Sequence, residues 1–303
     1  MIDFFSPISA AVTQTGRQLF QPFVLGKWFT LGFSAWLASF ISNVGFTSSY
    51  GPFDHADADQ ETWNFVLQLG LPAWICIVLG FGFLVWLFMG LICWLGCRGK
   101  FMLLDNVVHN RAEVVAPWKA FRQSGNSFFL LFFATVSIAY ALCLALIIFA
   151  MVYLWPDLLT RRTHDAVHYL PLLIAGGIFL LIAITISIYL FFLREFGVLW
   201  MYRHQVSAWE ASQRLAALAT EMPLHFILYL LIRIGLTMVF LTIIAVLACM
   251  TCCVAIIPYL GSVITLPLSV FVVWYNLGSF AQFGPEYDVR LGGEQPPVQP
   301  TMI

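Results

Sequence analysis

Four polar side chains recur every fourth residue in the apolar stretch HFILYLLIRIGLTMVF: His225, Tyr229, Arg233 and Thr237. Residues four apart lie on nearly the same side of a helix, so this spacing makes one slowly drifting polar stripe. A second stripe, Tyr275, Asn276, Ser279 and Gln282, recurs at spacings of three and four near the end of the last apolar run. An arginine among lipid chains costs roughly 3 kcal/mol or more, and intramembrane charges face protein or water-filled space instead. Arg233 and Asn276 each lie about eight residues inside their runs, roughly 12 Å deep at about 1.5 Å per residue, so the stripes are expected to face each other. Three arrangements fit. Arg233 can be a strut, reaching Asn276, backbone carbonyls or Glu286. It can line a small polar cavity open to the cytoplasm and bind an anion such as a lipid phosphate or a partner's carboxylate. It can also snorkel to head groups. The strut asks least of the sequence, because no acid lies in the run to pair with the arginine.

Other chemistry is thinner. CMTCC places Cys249, Cys252 and Cys253 near the end of the fifth run, where a CxxC in an oxidising compartment forms a disulfide or holds a soft metal. Packing is the simpler reading, since a metal needs more ligands. DHADADQE supplies Asp57 and Asp59, and HDAVH supplies His164 and His168, four apart and able to share a metal on a helix face. The calcium-loop pattern with its turn glycine is missing, so solvated loops are expected rather than a metal. Asp105, His109 and Glu113, at i, i+4 and i+8, read as the wet face of a helix. HExxH, GxSxG, P-loop and dinucleotide glycine patterns do not occur. With no Asp or Glu placed inside a span, a proton relay is not expected. The reading is therefore of a chain that is not an enzyme, with no cofactor and no nucleic-acid partner.

These residues must be positioned by helices in a bilayer. At 61% hydrophobic and only 10% charged residues, the chain has too much apolar surface for a water-soluble core. Apolar runs approaching or exceeding the roughly 20 residues of a membrane span lie at 28–46, 70–97, 128–154, 170–193, 226–250 and 260–283. The fold class expected is all-α and polytopic, six transmembrane helices in three hairpins, forming one membrane domain over 1–288. MIDFFSPISAAVTQTGRQLF lacks the basic start of a signal peptide, so the first membrane helix is expected to be retained. Placing the N-terminus in the cytoplasm puts 11 of 14 basic residues inside and leaves Arg161 and Arg162 outside, as the positive-inside rule requires. The C-terminus is then cytoplasmic too, and the proline-rich stretch 289–303 reads as a disordered tail.

A cytoplasmic amphipathic segment precedes each hairpin. Ile8, Val12 and Leu19 share a side in the first; Val114, Trp118 and Phe121 do so in the second. The third carries Ala208, Ala211, Leu215, Leu218 and Met222 on one face, with Glu210 and Arg214 paired at i, i+4. Breakers follow at Gln21-Pro22, Ser124-Gly125-Asn126 and Met222-Pro223, so each segment reads as an interfacial helix that turns into the membrane at an elbow. The even-numbered helices exit through CRGKFMLLD, LREFGVLWMYR and NLGSFAQFGPEYD, each with a glycine near a phenylalanine. Three repeats of one unit, or three similar layouts, both fit.

Through PFVLGKWFTLGFSAWLASF, KFMLLDNVVHNRAEVVAPWKAFRQSGNSFFLLF and CMTCCVAIIPYLGSVITLPLSVFVVWYNLGSFAQFGPEYD the chain resembles an uncharacterised family of bacterial multi-helix membrane proteins. That family is loosely similar to the membrane domain attached to some glycerophosphodiester phosphodiesterases, whose catalytic barrel is missing here. The resemblance implies a bacterial inner membrane and a six-helix fold, and no catalytic residue. The expected role is a structural or accessory subunit whose partners are the bilayer, other membrane proteins or further copies of itself. The alternative is a transporter or channel for a lipid or small anion, with its polar site between the fifth and sixth membrane helices.

Overall fold

The computed structural model describes residues 6–43, 60–160, 166–250 and 258–289, and every element among them is helical. In chain order these are α1 (Ser6–Phe20), α2 (Leu25–Asn43), α3 (Gln60–Val108), α4 (Val115–Ala120), α5 (Arg122–Thr160) and α6 (Leu170–Phe192). A π turn (Leu193–Gly197) leads into α7 (Val198–His204), followed by α8 (Ala208–Glu221), α9 (Pro223–Met250), α10 (Pro258–Ile264) and α11 (Leu266–Ala281). Of the tail expected over 289–303, Val289 is instead buried, 4% exposed, and residues 290–303 lie outside the described residues.

Four helices are long and apolar enough to cross a membrane, as expected of a membrane protein: Gly70–Val108, Arg122–Asp157, Leu170–His204 and Pro223–Leu247. The first three outrun the apolar stretches that mark them, because a helix ends where its backbone is broken and not where the first charge appears. α3 is broken at Gly70, whose φ of 70° and ψ of 158° are not helical, with Pro72 just beyond. The run 260–283 is divided instead. Thr265 leaves the helix at φ −87°, and Pro267 has no N–H for the ladder, so α11 keeps 16 residues, about 24 Å of helix. α2 has 19.

The chain forms two compact units. One takes in Asn43–Cys93 and Phe132–Leu190. Within it Trp86 packs on Phe133 with ring centroids 5.2 Å apart, Trp86 Nε1 donates to Ser137 Oγ at 2.9 Å, and Tyr140 Oη donates to the Gly82 carbonyl at 2.6 Å. Glycine favours that bond, since a Cβ at position 82 would lie 2.8 Å from the hydroxyl and the Tyr140 side chain would have to shift. Phe81, Leu84, Leu173 and Leu181 point outward and are mostly exposed, as surfaces that meet lipid must be.

The other unit takes in Met1–Ser42, Trp94–Leu131 and Phe191–Ile303 and holds the interfacial helices. α1 packs on α11. Trp274 Nε1 donates to Gln18 Oε1 at 2.8 Å, and Gly278 lets Pro7 approach. The buried face of α1 is Pro7, Ala11, Thr15, Gln18 and Leu19. Val12, expected on the inner side, is 59% exposed; satisfying the polar edge of α11 takes precedence over hiding one valine. α8 buries Ala208, Ala211, Leu215 and Leu218 as its spacing requires, and Ser207 caps it by accepting from Glu210 N at 3.3 Å. Ser207→Ala is expected to cost about 1 kcal/mol of stability, read as a lowered thermal midpoint in detergent. Arg214 does not pair with Glu210. It donates to Glu286 at 2.9 Å, and that hydrogen bond raises the Arg214 pKa.

The second elbow falls earlier than Ser124-Gly125-Asn126, which lie inside α5. The break is at Phe121 (φ −95°, ψ 22°), and Gly125 N rejoins the ladder to the Phe121 carbonyl at 2.8 Å. Gly125 serves packing instead. A Cβ there would meet Arg98 Cγ at 3.1 Å. The Arg98 guanidinium lies over the rings of Trp94 and Trp118, at 4.4 and 5.1 Å, and donates to Asn126 Oδ1 at 2.9 Å.

Candidate functional site

α6 meets no breaker until Gln205, whose φ is 54°, so the helix carries the charged pair Arg194–Glu195 inward. The π turn adds a residue to one helical turn and shifts the face that follows. Leu193, Glu195, Phe196 and Gly197 are buried within it, and Val198, Leu199, Met201 and Tyr202 are buried after it. Glu195 is 2% exposed and lies just beyond the apolar run 170–193, within the long helix Leu170–His204.

Its carboxylate has three donors from three parts of the chain. Lys100 Nζ on α3 donates to Oε2 at 3.3 Å, Asn276 Nδ2 on α11 makes a close hydrogen bond to the same oxygen, and Arg194 Nε donates to Oε1 at 3.0 Å. Asn276 works at both ends, since its Oδ1 accepts from Tyr229 Oη on α9 at 2.8 Å. Tyr229 stacks on Tyr275 with ring centroids 5.9 Å apart and packs on Phe196 at 4.5 Å. Lys100, Glu195 and Ser279 each directly precede a buried phenylalanine: Phe101, Phe196 and Phe280. Arg194 Nη1 also donates to the Ile41 and Ser42 carbonyls, each at 3.4 Å, and so satisfies the last turn of α2.

Arg233 stands one helical turn beyond Tyr229. Of the partners suggested for it, the two side chains are engaged elsewhere, the Asn276 amide by Glu195 and Tyr229, and Glu286 by Arg214. Arg233 Nε is buried with no hydrogen-bond partner. The guanidinium acts on Glu195, Lys100 and Tyr229 through its charge alone. Three basic side chains, Lys100, Arg194 and Arg233, thus act on one carboxylate, a formal excess of two basic groups over acids.

Of the remaining stripe residues, Ser279 and Tyr275 are buried side by side. His225 meets the ring of Phe283 at 6.2 Å, and Gln282 is half-buried. Thr237 is exposed and donates back to the Arg233 carbonyl at 2.7 Å, so it belongs to its own helix and not to the site. Lys100, Arg194 and Glu195 were not in the sequence-derived site. For Arg194 and Glu195 the signal is the lack of any proline from Leu172 to Gln205, which keeps the charged pair part of the helix; no such local signal marks Lys100.

A second buried acid lies nearby in the same unit. Asp105 is 3% exposed and accepts from Tyr202 Oη at 2.9 Å and Arg111 Nη2 at 3.3 Å, with His109 Nδ1 at 3.1 Å. It is therefore no wet face. α3 ends at Val108, and Glu113 clamps Asn106 through its backbone instead. In the other unit His168 Nε2 meets Asp157 Oδ2 at 2.9 Å. His164, Asp57, Asp59, Cys252 and Cys253 lie outside the described residues, and Cys249 is an exposed thiol. Among the described residues no three His, Cys, Asp or Glu side chains group as metal ligands.

Helix length sets how much apolar helix precedes the cluster. Leu170 to Glu195 is about 25 residues, roughly 37 Å, and Gly70 to Lys100 is about 30 residues, roughly 45 Å. Each exceeds the roughly 30 Å of a hydrocarbon core, so the apolar portion of each helix is long enough to span before its charged residue is reached.

The model of one protein family matches residues 3–289, nearly the whole chain; it describes a family of unknown function, DUF7544. No curated protein and no solved structure matches.

Proposed function

The chain belongs to the DUF7544 family, and we propose that it is a non-catalytic integral membrane protein, a structural or accessory subunit of a membrane complex. It lies in a bacterial inner membrane with both termini cytoplasmic. Its six spans form three hairpins, each preceded by an interfacial helix, α1, α4 or α8, with α2 and α10–α11 as the short members. The observation that carries this reading is the state of Glu195. A carboxylate held by Lys100, Arg194 and Asn276 at once has three of its roughly four acceptor sites taken by the protein's own donors. It serves as a tie between helical segments, not as a base or a proton relay.

A second reading, a transporter for a small anion or lipid at the same cluster, is favoured by the excess of basic groups and by the unpartnered Arg233 Nε. Purified protein reconstituted into liposomes separates the two. The subunit reading predicts phosphate and chloride uptake equal to that of protein-free liposomes. Uptake at least threefold above that background, and lost in Arg233→Met, replaces it with the transporter.

A further inference from the structure

We propose that Arg233, with Lys100 and Arg194 behind it, seats the phosphate group of a membrane phospholipid at the edge of the bilayer. The inference deepens the excess-cation reading of the cluster but does not require transport.

Three observations carry it. The first is charge. Three cations within electrostatic reach of one carboxylate leave repulsion that water screens poorly at a buried site, and an anion offsets it. The phosphodiester of a phospholipid carries one negative charge and presents several acceptor oxygens.

The second is geometry. Every donor of a guanidinium needs an acceptor, and the planar fork of arginine matches phosphate oxygens in pairs. Arg233 Nε is buried without one, while Glu195, the acid within its reach, is already held by three other donors. The arginine is half-buried, so the rest of its fork can be approached from outside.

The third is position. The apolar parts of α3 and α6 are long enough to complete a bilayer crossing before Lys100 and Glu195, so the cluster is taken to stand at head-group level, shallower than the roughly 12 Å expected from the apolar runs. On α9 the residues three before and three after Arg233, Leu230 and Leu236, are half-buried, and the adjoining Ile234 is 47% exposed. That apolar flank suits an acyl chain and would be idle for a free anion. A site with these neighbours selects a phosphate that carries a tail.

Native mass spectrometry of the full chain in a zwitterionic detergent tests the proposal, with phosphatidylglycerol and phosphatidylcholine added at equal concentration and inorganic phosphate in a separate arm. Wild type should retain phosphatidylglycerol about tenfold more than phosphatidylcholine. Arg233→Met should lose that preference, and Arg233→Lys, which keeps the charge, should retain most of it. Inorganic phosphate alone should give no Arg233-dependent rise in thermal midpoint. If it gives one as large as the lipid's, the phosphate seat stands and its occupant is the free ion. Equal retention of both lipids by wild type, with no response to phosphate, overturns the proposal even if Arg233→Met fails to fold, as does an unchanged preference in a folded Arg233→Met. Retention of lipid without anion uptake leaves the subunit reading intact, so the two failures can be told apart.

Discussion

Replacing Glu195 by alanine is expected to destabilise the protein by about 3–5 kcal/mol, the usual cost of removing one member of a buried charged group. Lys100 and Arg194 would remain 13% and 16% exposed, now without a counter-charge, and Asn276 would lose its acceptor while still holding Tyr229. Glu195→Gln should cost less, because an amide oxygen still accepts from Lys100 and Asn276, although its nitrogen is set against Arg194, donor against donor. Denaturant unfolding in mixed micelles reads both. The order alanine, then glutamine, then wild type in rising stability is the expected result. A Glu195→Ala variant within about 0.5 kcal/mol of wild type, the range of ordinary surface substitutions, would mean that the carboxylate ties nothing together.

Gly99→Ala should be nearly as damaging, at about 3 kcal/mol, the upper end of overpacking costs. A Cβ at Gly99 would stand 2.5 Å from Leu37 Cβ, 2.7 Å from the Leu37 carbonyl carbon and 2.8 Å from Ala38 N. Backbone atoms cannot rotate away, so α2 would have to shift as a body. Its last carbonyls would then leave Arg194, and Lys100, the next residue, would lose its register with Glu195. Gly80 on the same helix is the control: a Cβ there meets nothing within 4 Å, and Gly80→Ala should be neutral or should stabilise by up to about 1 kcal/mol through helix propensity. Thermal midpoints of the two variants should therefore move in different directions from one substitution type in one helix.

Much of this architecture is legible in the sequence where backbone chemistry or helical period speaks alone. The proline boundary after Met222 separates α8 from α9, and the spacing of Ala208, Ala211, Leu215 and Leu218 marks the buried face of α8. The four-residue spacing brings Tyr229 to one face of α9, and the structure sets it against Asn276. What hydropathy hides is the continuation of a helix past its first charge. Arg194 and Glu195 read as the end of a span, yet the helix runs to His204, because a charge neutralised by its neighbours breaks no backbone hydrogen bond. The inner face of α1 is hidden for a related reason. Its partner α11 offers Trp274 Nε1, so Gln18 turns inward and Val12 outward. In both cases a polar partner distant in sequence decides the outcome, and local periodicity carries no trace of it. Lys100 lies 95 residues from Glu195.

The central claim is that one carboxylate, held by cations from separate helices, locks the charged cluster together. A double-mutant cycle on Lys100→Met and Glu195→Gln, followed by denaturant unfolding in the same micelles, tests it most directly. The account predicts a coupling energy of about 2 kcal/mol or more, within the range found for groups sharing a buried network. Additivity of the two substitutions within about 0.5 kcal/mol, as found for distant and independent sites, would contradict it.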